Sequence, residues 1–594
     1  VAVRSRVRDE FLVLLILLVL TGTSTTTPSH GRTPADPEPG AESETLVLSS
    51  EARIRVRSGR DIELEVRPAP GTAWESLATR FTGSASRATA LAAWNGDRSP
   101  SQLEWVRIPL AIVEGQYRAL VLRNLFPRDR YDGKVWVHVV REGAVPTYGE
   151  GMWQVALWFT GRGDLFTDLT EINGLATAEL RRGQEVRIPD ELLHPALRDG
   201  RTSADGSLVY GSDDRGPYAG YRLRPGEALY SAVVVRFTGR TKAEDVVGLA
   251  ETLAERSDIP DLTDIPVGYL VKIPFDYLEP EFLPARHPKR LEAEAARKEM
   301  AAALAARPVP RAQGLDGVLV IIDPGHGGRD LGTMNNGIWE HDYVYDVACR
   351  LKEILERQSA ADVFMTLVDE KTGCTPSEDS QLKVNRQGTI QTHPPFLARE
   401  KGEAKIGVNL RWFLANSAYR KAVRDGTDGD RVVFISIHAD ARHPSLRGTM
   451  VYVPGAKYRR STYSRTTPTY TKYAEVREKP TVRFSHKSRI RSEAVSTELA
   501  EALLDGFRAE KLTVPKEKPI RNRIVRSRRK SFVPAVLGGN EVPAKVLVEV
   551  ANMTNPKDAK VLATSDGRER MARALARGLF GYFGEKTPGS LASR

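Results

Sequence analysis

Four side chains stand where this chain could carry out metal-assisted hydrolysis. His326 sits in Asp323-Pro324-Gly325-His326-Gly327-Gly328, and Glu340 lies in Trp339-Glu340-His341-Asp342. His438 is part of His438-Ala439-Asp440, and Glu549 falls in an otherwise apolar run, Val546-Leu547-Val548-Glu549-Val550. Two imidazoles and one carboxylate, with water in the fourth position, make a standard open catalytic zinc set. A carboxylate on a buried strand is costly unless it is paired or placed at a site. Glu549 is therefore a candidate to take a proton from water and return it to a leaving group. Asp323 and Asp440 read as residues that orient histidines or shape loops. His341 and Asp342 are the substitutes for Glu340 should that carboxylate serve only as a helix-start residue. His393, His443 and His486 read as surface groups.

The elements that must position these groups are those of an α/β domain. Val318-Leu319-Val320-Ile321-Ile322 is a continuous apolar run, as expected of a strand buried on both faces. It stops at the glycine-rich turn, which leaves His326 at the carboxyl end of a strand, where open α/β sheets place their sites. The pattern predicts helices near 341–357, 409–424, 492–510 and 566–583. It predicts further strands at 362–368, 431–437, 449–453 and 545–550. The expected fold class is thus α/β, with a C-terminal mixed or parallel sheet flanked by helices.

Taken in order, these signatures resemble the zinc-dependent N-acetylmuramoyl-L-alanine amidases of bacterial cell-wall turnover and cell separation. The residues that carry the likeness are IIDPGHGG (321–328), Glu340 after a short Asn/Gly-rich loop, the helix motif 411–416, SIHAD (436–440) followed by Arg447-Gly448, and Val548-Glu549 with Asn555-Pro556 downstream. The likeness runs from about 316 to 584. It implies that His326, Glu340 and His438 bind Zn2+ and that Glu549 is the catalytic acid/base. It also implies peptidoglycan as the partner, cleavage between the lactyl group of N-acetylmuramic acid and L-alanine, and room for a protein activator. Two other readings stand beside it. One is a non-catalytic or regulatory wall-binding protein on an amidase fold, and the other is a zinc carboxypeptidase acting within the stem peptide.

Two segments depart from the compact family pattern, 371–408 and 455–491. The second holds 11 Lys/Arg against 2 Glu, interleaved with Tyr458, Tyr463, Tyr470 and Tyr473. It reads as a basic loop beside the cleft that attracts anionic peptidoglycan or a partner, or else as a solvated, disordered loop. A further basic run, RNRIVRSRRK (521–530), is expected on the same rim. No nucleic-acid recognition motif accompanies either run.

Upstream, one unit recurs three times. Phe81-Thr82-Gly83, Phe159-Thr160-Gly161 and Phe237-Thr238-Gly239 are spaced 78 residues apart. Each is followed by an apolar-basic-Ile-Pro ending at 106–109, 186–189 and 271–274. Asn95-Gly96 and Asn173-Gly174 supply turns with positive φ, and the third copy has Arg256-Ser257-Asp258 there instead. Ile-Pro ends a short strand, where a missing N–H is tolerated. Each copy reads strand, helix, turn, helix, strand and resembles the lysin motif (LysM), a small βααβ module that binds N-acetylglucosamine-containing glycans. The alternative is a repeat that only spaces or packs the next domain. The stretch 117–140 is expected to be an added hairpin.

The 594 residues, 41% apolar and 27% charged with a net charge of +11, exclude a fibrous chain and a polytopic membrane protein. Ten apolar residues at 11–20 follow Arg4, Arg6 and Arg8, the pattern of a secretory signal peptide. The segment is either cleaved or kept as a membrane tether, and the expected location is periplasmic or cell-wall associated. The two cysteines, Cys349 and Cys374, exclude a disulfide scaffold, although an oxidising compartment would permit a bond between them. The chain is accordingly expected to divide into a leader and linker (1–42), a first repeat with its hairpin (43–143), a second (144–220) and a third (221–282). A helical linker (283–315), the amidase-like domain (316–584) and a tail (585–594) follow.

Overall fold

In the computed structural model, which describes residues 43–141, 150–198, 200–335, 337–527 and 530–584, the Phe-Thr-Gly signature performs the same local task three times. Phe81, Phe159 and Phe237 are buried at helix ends. The hydroxyls of Thr82, Thr160 and Thr238 donate to the carbonyls of Ala78, Ala156 and Val234 at 2.6–2.7 Å. Gly83, Gly161 and Gly239 then adopt φ of 74°, 80° and 70°, the left-handed helix stop that a side chain disfavours. The leader expected at 1–42 and the tail at 585–594 lie outside the described residues.

The flanking strands pair antiparallel in each copy: Asp61–Val66 with Val106–Pro109, Val135–Val139 with Glu185–Pro189, and Gly216–Arg222 with Leu270–Pro274. Asn95 does more than form a turn. Its amide donates to the carbonyls of Leu91 and Arg107, and its Oδ1 accepts from the Arg107 N–H, tying the second helix to the last strand. Asn173 repeats those bonds with Leu169 and Arg187. In the third copy the Ser257 hydroxyl accepts from the Lys272 N–H, so a smaller side chain supplies part of the same tie.

The stretch expected as one hairpin divides differently. Gly115–Leu125 is a helix, and Val135–Val139 is the strand that pairs with Glu185–Pro189. Tyr117, Leu120, Val121 and Leu125 recur at helical spacing and are buried. The buried Arg118 guanidinium donates to carbonyls of residues 110, 111, 113, 157 and 158, bridging the first copy to the second. The three copies share one apolar core, to which, among the described residues, the C-terminal half contributes Leu446.

After the helix Pro288–Ala306 comes a six-stranded mixed sheet. Its order is Asp362–Met365, Leu319–Pro324, Val432–Asp440, Ala544–Asn552, Met450–Tyr452 and Ile520–Arg521. The first four strands run parallel, and Met450–Tyr452 runs antiparallel to Ala544–Asn552. One face packs Val320, Ile322, Ile435, Ile437, Val546 and Val548 in a core with the helices Glu340–Gln358, His486–Ala509 and Ser565–Tyr582. The other face packs Ile321, Phe434 and Leu547 against Ala415 of the helix Ala404–Arg424 and Val536–Leu537. The α/β expectation for this half therefore holds. Among the described residues no helix is long and apolar enough to cross a membrane.

The 455–491 insertion is ordered where a basic loop was expected. Thr462–Ser464 pairs with Thr481–Arg483, and short helices Pro468–Thr471 and Ala474–Glu478 lie between them. Tyr473, Val476 and Val482 are buried and give it an apolar underside. Glu478 accepts from Ser417, Arg420 and Arg424, holding the insertion on the helix Ala404–Arg424. Cys349 and Cys374 are joined in a disulfide with Cα atoms 5.2 Å apart.

Candidate functional site

Each of the four expected site residues is delivered by the end of a regular element. Leu319–Pro324 ends just before His326, which adopts a left-handed φ of 64°. Glu340 opens the helix Glu340–Gln358. His438 lies near the end of Val432–Asp440, and Glu549 is its neighbour across the parallel ladder in Ala544–Asn552.

Glu340 is the centre of the arrangement. Its Oε1 stands 3.0 Å from Nε2 of His326 and 3.0 Å from Nδ1 of His438. It also accepts from the Ala439 N–H at 3.1 Å, while Oε2 accepts from the Thr333 N–H at 3.0 Å. One ligand atom from each of His326, Glu340 and His438 falls within 4.8 Å of the others, close enough to share a cation. Two glycines make the room. A Cβ on Gly325 would sit 2.6 Å from the His438 ring, and one on Gly332 would sit 2.6 Å from Glu340 Oε2.

The electrostatics suit a cation. Burial favours a neutral His326, yet Glu340 and Asp330 hold its pKa up at about 10. Burial likewise disfavours a charged Glu340, but His326 and His438 keep its pKa well below the ordinary carboxylate range. The negative charge that retains a proton on His326 would equally stabilise a dication. Glu549 is the opposite case. Burial, reinforced by Asp440 and Glu340, pushes its carboxyl well above the usual range. Its Oε2 is buried without a hydrogen-bond partner. A buried orphan oxygen beside two imidazoles and a carboxylate is what an ion and its water would satisfy, so the donor set fits a metal of the zinc type.

The neighbouring candidates go elsewhere. His341 turns its Nδ1–H to the Gly325 carbonyl at 3.0 Å, and Asp342 accepts from the Asn385 N–H. Asp323 is fully buried and accepts from Thr366, Ser436 and Arg411, which ties three elements beneath the turn. Asp440 caps the Ala441 N–H. Of the histidines expected at the surface, His393 pairs with Glu475 and His486 with Glu299. His443 is instead stacked on Tyr230 of the third repeat.

Sequence reasoning missed Asp330. Its Oδ1 lies 3.0 Å from Nδ1 of His326 and fixes which imidazole nitrogen faces Glu340. An acid four residues after a histidine in a glycine-rich turn was the available signal. Also missed was the wall of the site. A cavity of about 270 Å³ opens beside His326 and His438, and Ile390, Phe396 and Val408 line it from the 371–408 insertion and the helix that follows. Ile524 and Phe532 close it from the other side, so residues in and near the second basic run do reach this rim. The 455–491 insertion contributes none of the residues that line this cavity.

The sequence pattern of the N-acetylmuramoyl-L-alanine amidase family matches residues 320–580. The chain is 27% identical over 277 residues to N-acetylmuramoyl-L-alanine amidase AmiA of Salmonella typhimurium, covering 45% of this chain and 76% of that protein. It is 27% identical over 267 residues to AmiC of Neisseria meningitidis serogroup B, covering 44% of this chain and 52% of that protein. The solved structure of Ami1 from Mycobacterium smegmatis aligns at 19% identity with a TM-score of 0.28, covering 46% of this chain and 98% of that one.

Proposed function

We propose that the segment 320–580, an N-acetylmuramoyl-L-alanine amidase domain, acts as a zinc hydrolase in which His326, Glu340 and His438 hold the ion and Glu549 moves the proton. The single observation that carries this reading is the convergence of those three ligand atoms within 4.8 Å, with Glu549 on the adjacent strand. The bond cut is the amide between the lactyl group of N-acetylmuramic acid and L-alanine, and the substrate is peptidoglycan.

A zinc ion in this position supplies Lewis-acid activation of water and of the amide carbonyl. The chain's own residues do the rest. Asp330 holds the His326 ring with Nε2 directed at the site. The Ala439 and Thr333 N–H groups hold the Glu340 carboxylate in place. The elevated proton affinity of Glu549 suits a group that takes a proton from attacking water and delivers it to the departing alanine nitrogen. The apolar wall of the cavity limits water beside the reacting carbonyl.

The three repeats are read as LysM-like modules that hold the enzyme on glycan strands. The basic n-region and apolar run before them support export to the periplasm or wall. The experiment is digestion of purified sacculi by the full chain, with mass spectrometry of the products. Release of intact stem peptides beginning at L-alanine is expected. Stems still attached to N-acetylmuramic acid but shortened at their C-terminus would establish a carboxypeptidase instead. A full complement of zinc with no release would make the protein a wall-binding or regulatory one.

A further inference from the structure

The segment 441–448 leaves the strand that carries His438 and returns to Met450–Tyr452, and it is held from two directions. From within the amidase domain, Asn552 latches it. Asn552 Oδ1 accepts from the Arg442 N–H at 3.0 Å, and its amide donates to the carbonyls of His443 and Leu446 at 3.1 and 2.8 Å. Asn552 is three residues past Glu549, so the latch joins the ends of both site-bearing strands. From outside, the third repeat seats the loop. The His443 N–H donates to the Thr241 carbonyl at 2.9 Å. Tyr230 stacks on the His443 ring with centroids 4.9 Å apart and planes 28° from parallel. Leu446 is buried in the core of the repeats rather than in that of the sheet.

This double hold falls where the ladder between the two site-bearing strands loses its regular register. The ladder between the two strands is regular from Val433 to His438, and its register then shifts before Asp440 pairs with Asn552. A bulge of this kind frees the strand ends from the spacing that ladder bonds impose. The third repeat is also built differently where it meets the loop. Leu229–Val235, which contains Tyr230, is π-helical, whereas the equivalent segments of the other two copies, Trp74–Thr82 and Met152–Thr160, are α-helical. Arg521 donates to the Gly239 carbonyl at 2.8 Å, and Arg523 and Lys518 pair with Glu279, which fixes the repeat on the sheet edge.

We propose that the third repeat is a positioning element of the hydrolytic centre. Tyr230 and Thr241 seat the 441–448 loop, and the loop, latched by Asn552, fixes the strand ends that carry His438 and Glu549. This rests on the amidase reading above, and it gives the third repeat a task separate from wall attachment.

The test uses the zinc-loaded full chain with Tyr230→Ala, Tyr230→Phe and His443→Ala, on a soluble muramyl peptide that needs no wall attachment. Tyr230→Ala and His443→Ala are expected to lower kcat about 10–100-fold, the scale of a misplaced catalytic group, with KM little changed. Tyr230→Phe retains the ring and is expected to retain activity. Amide hydrogen exchange gives a readout independent of turnover. Residues 438–446 and 549–555 should exchange faster in the two alanine variants and not in Tyr230→Phe, while the strand Leu319–Pro324 stays protected as the control for folding. Wild-type kcat in both alanine variants overturns the proposal, with or without faster exchange. So does a loss confined to sacculi, which would leave the repeat an anchor. A wild-type protein that releases no peptide sinks the amidase reading itself, and the exchange pattern still shows whether the tie exists.

Discussion

Asp330 holds His326 by its Nδ1 at 3.0 Å, so the ring presents Nε2 to Glu340. The pair is a second carboxylate–imidazole contact behind the first, and such contacts set both the tautomer and the basicity of a ligand. Removing it with Asp330→Ala is expected to weaken zinc binding about 10–100-fold. Competition against a chromophoric chelator measures this directly, and unchanged affinity would show that Asp330 has no hold on the ligand.

Glu549→Gln keeps the shape of the side chain and removes its capacity to carry a proton. Turnover is expected to fall about 100–10,000-fold, the usual contribution of a positioned acid–base group. Zinc stoichiometry is expected to stay at the wild-type level, because His326, Glu340 and His438 are untouched. Loss of metal in this variant would instead place Glu549 among the ligands.

His138 is buried between Asp129 and Glu150, each 2.9 Å from one of its ring nitrogens. Burial acts to lower its pKa, but the two carboxylates outweigh it and the net shift is upward from 6.5. A raised folded-state pKa contributes stability that is fully present below the unfolded value and is lost as pH rises through the folded one. The stability of the second repeat should therefore decline as pH rises above 6.5 and through the raised folded-state value of His138, read as loss of hydrogen-exchange protection after correction for the intrinsic rate. His138→Gln should remove that dependence and cost about 3–5 kcal/mol, since it leaves buried carboxylates without a cation. A flat wild-type profile would refute the assignment.

The Cys349–Cys374 disulfide spans 25 residues and ties the helix that begins at Glu340 to the chain beyond Leu367–Asp369. Closing a loop of that length stabilises the fold by about 3 kcal/mol. Urea unfolding under oxidising and reducing conditions should show a midpoint that drops on reduction, and the same drop without reductant in Cys374→Ser. Coincident curves would mean that the bond contributes nothing to global stability.

The amino-acid sequence alone determined the α/β class of the C-terminal half and the three-fold recurrence of Phe-Thr-Gly, and it singled out four candidate site residues. Short motifs and apolar periodicity record those features within a few residues of one another. His326, for instance, announces itself through the glycines beside it, and Glu549 through its apolar strand. Only the tertiary structure decided the role of Asp330, the apolar wall from 371–408, the place of the 455–491 insertion and the seating of His443 on Tyr230. Those contacts join residues far apart in the chain, and His443 and Tyr230 are separated by more than 200 positions. Their pairing depends on how packed surfaces meet, which no local pattern encodes. The 117–140 stretch shows the same limit from the other side. Its alternating apolar residues fitted a hairpin, and burial against neighbouring repeats made the first part a helix.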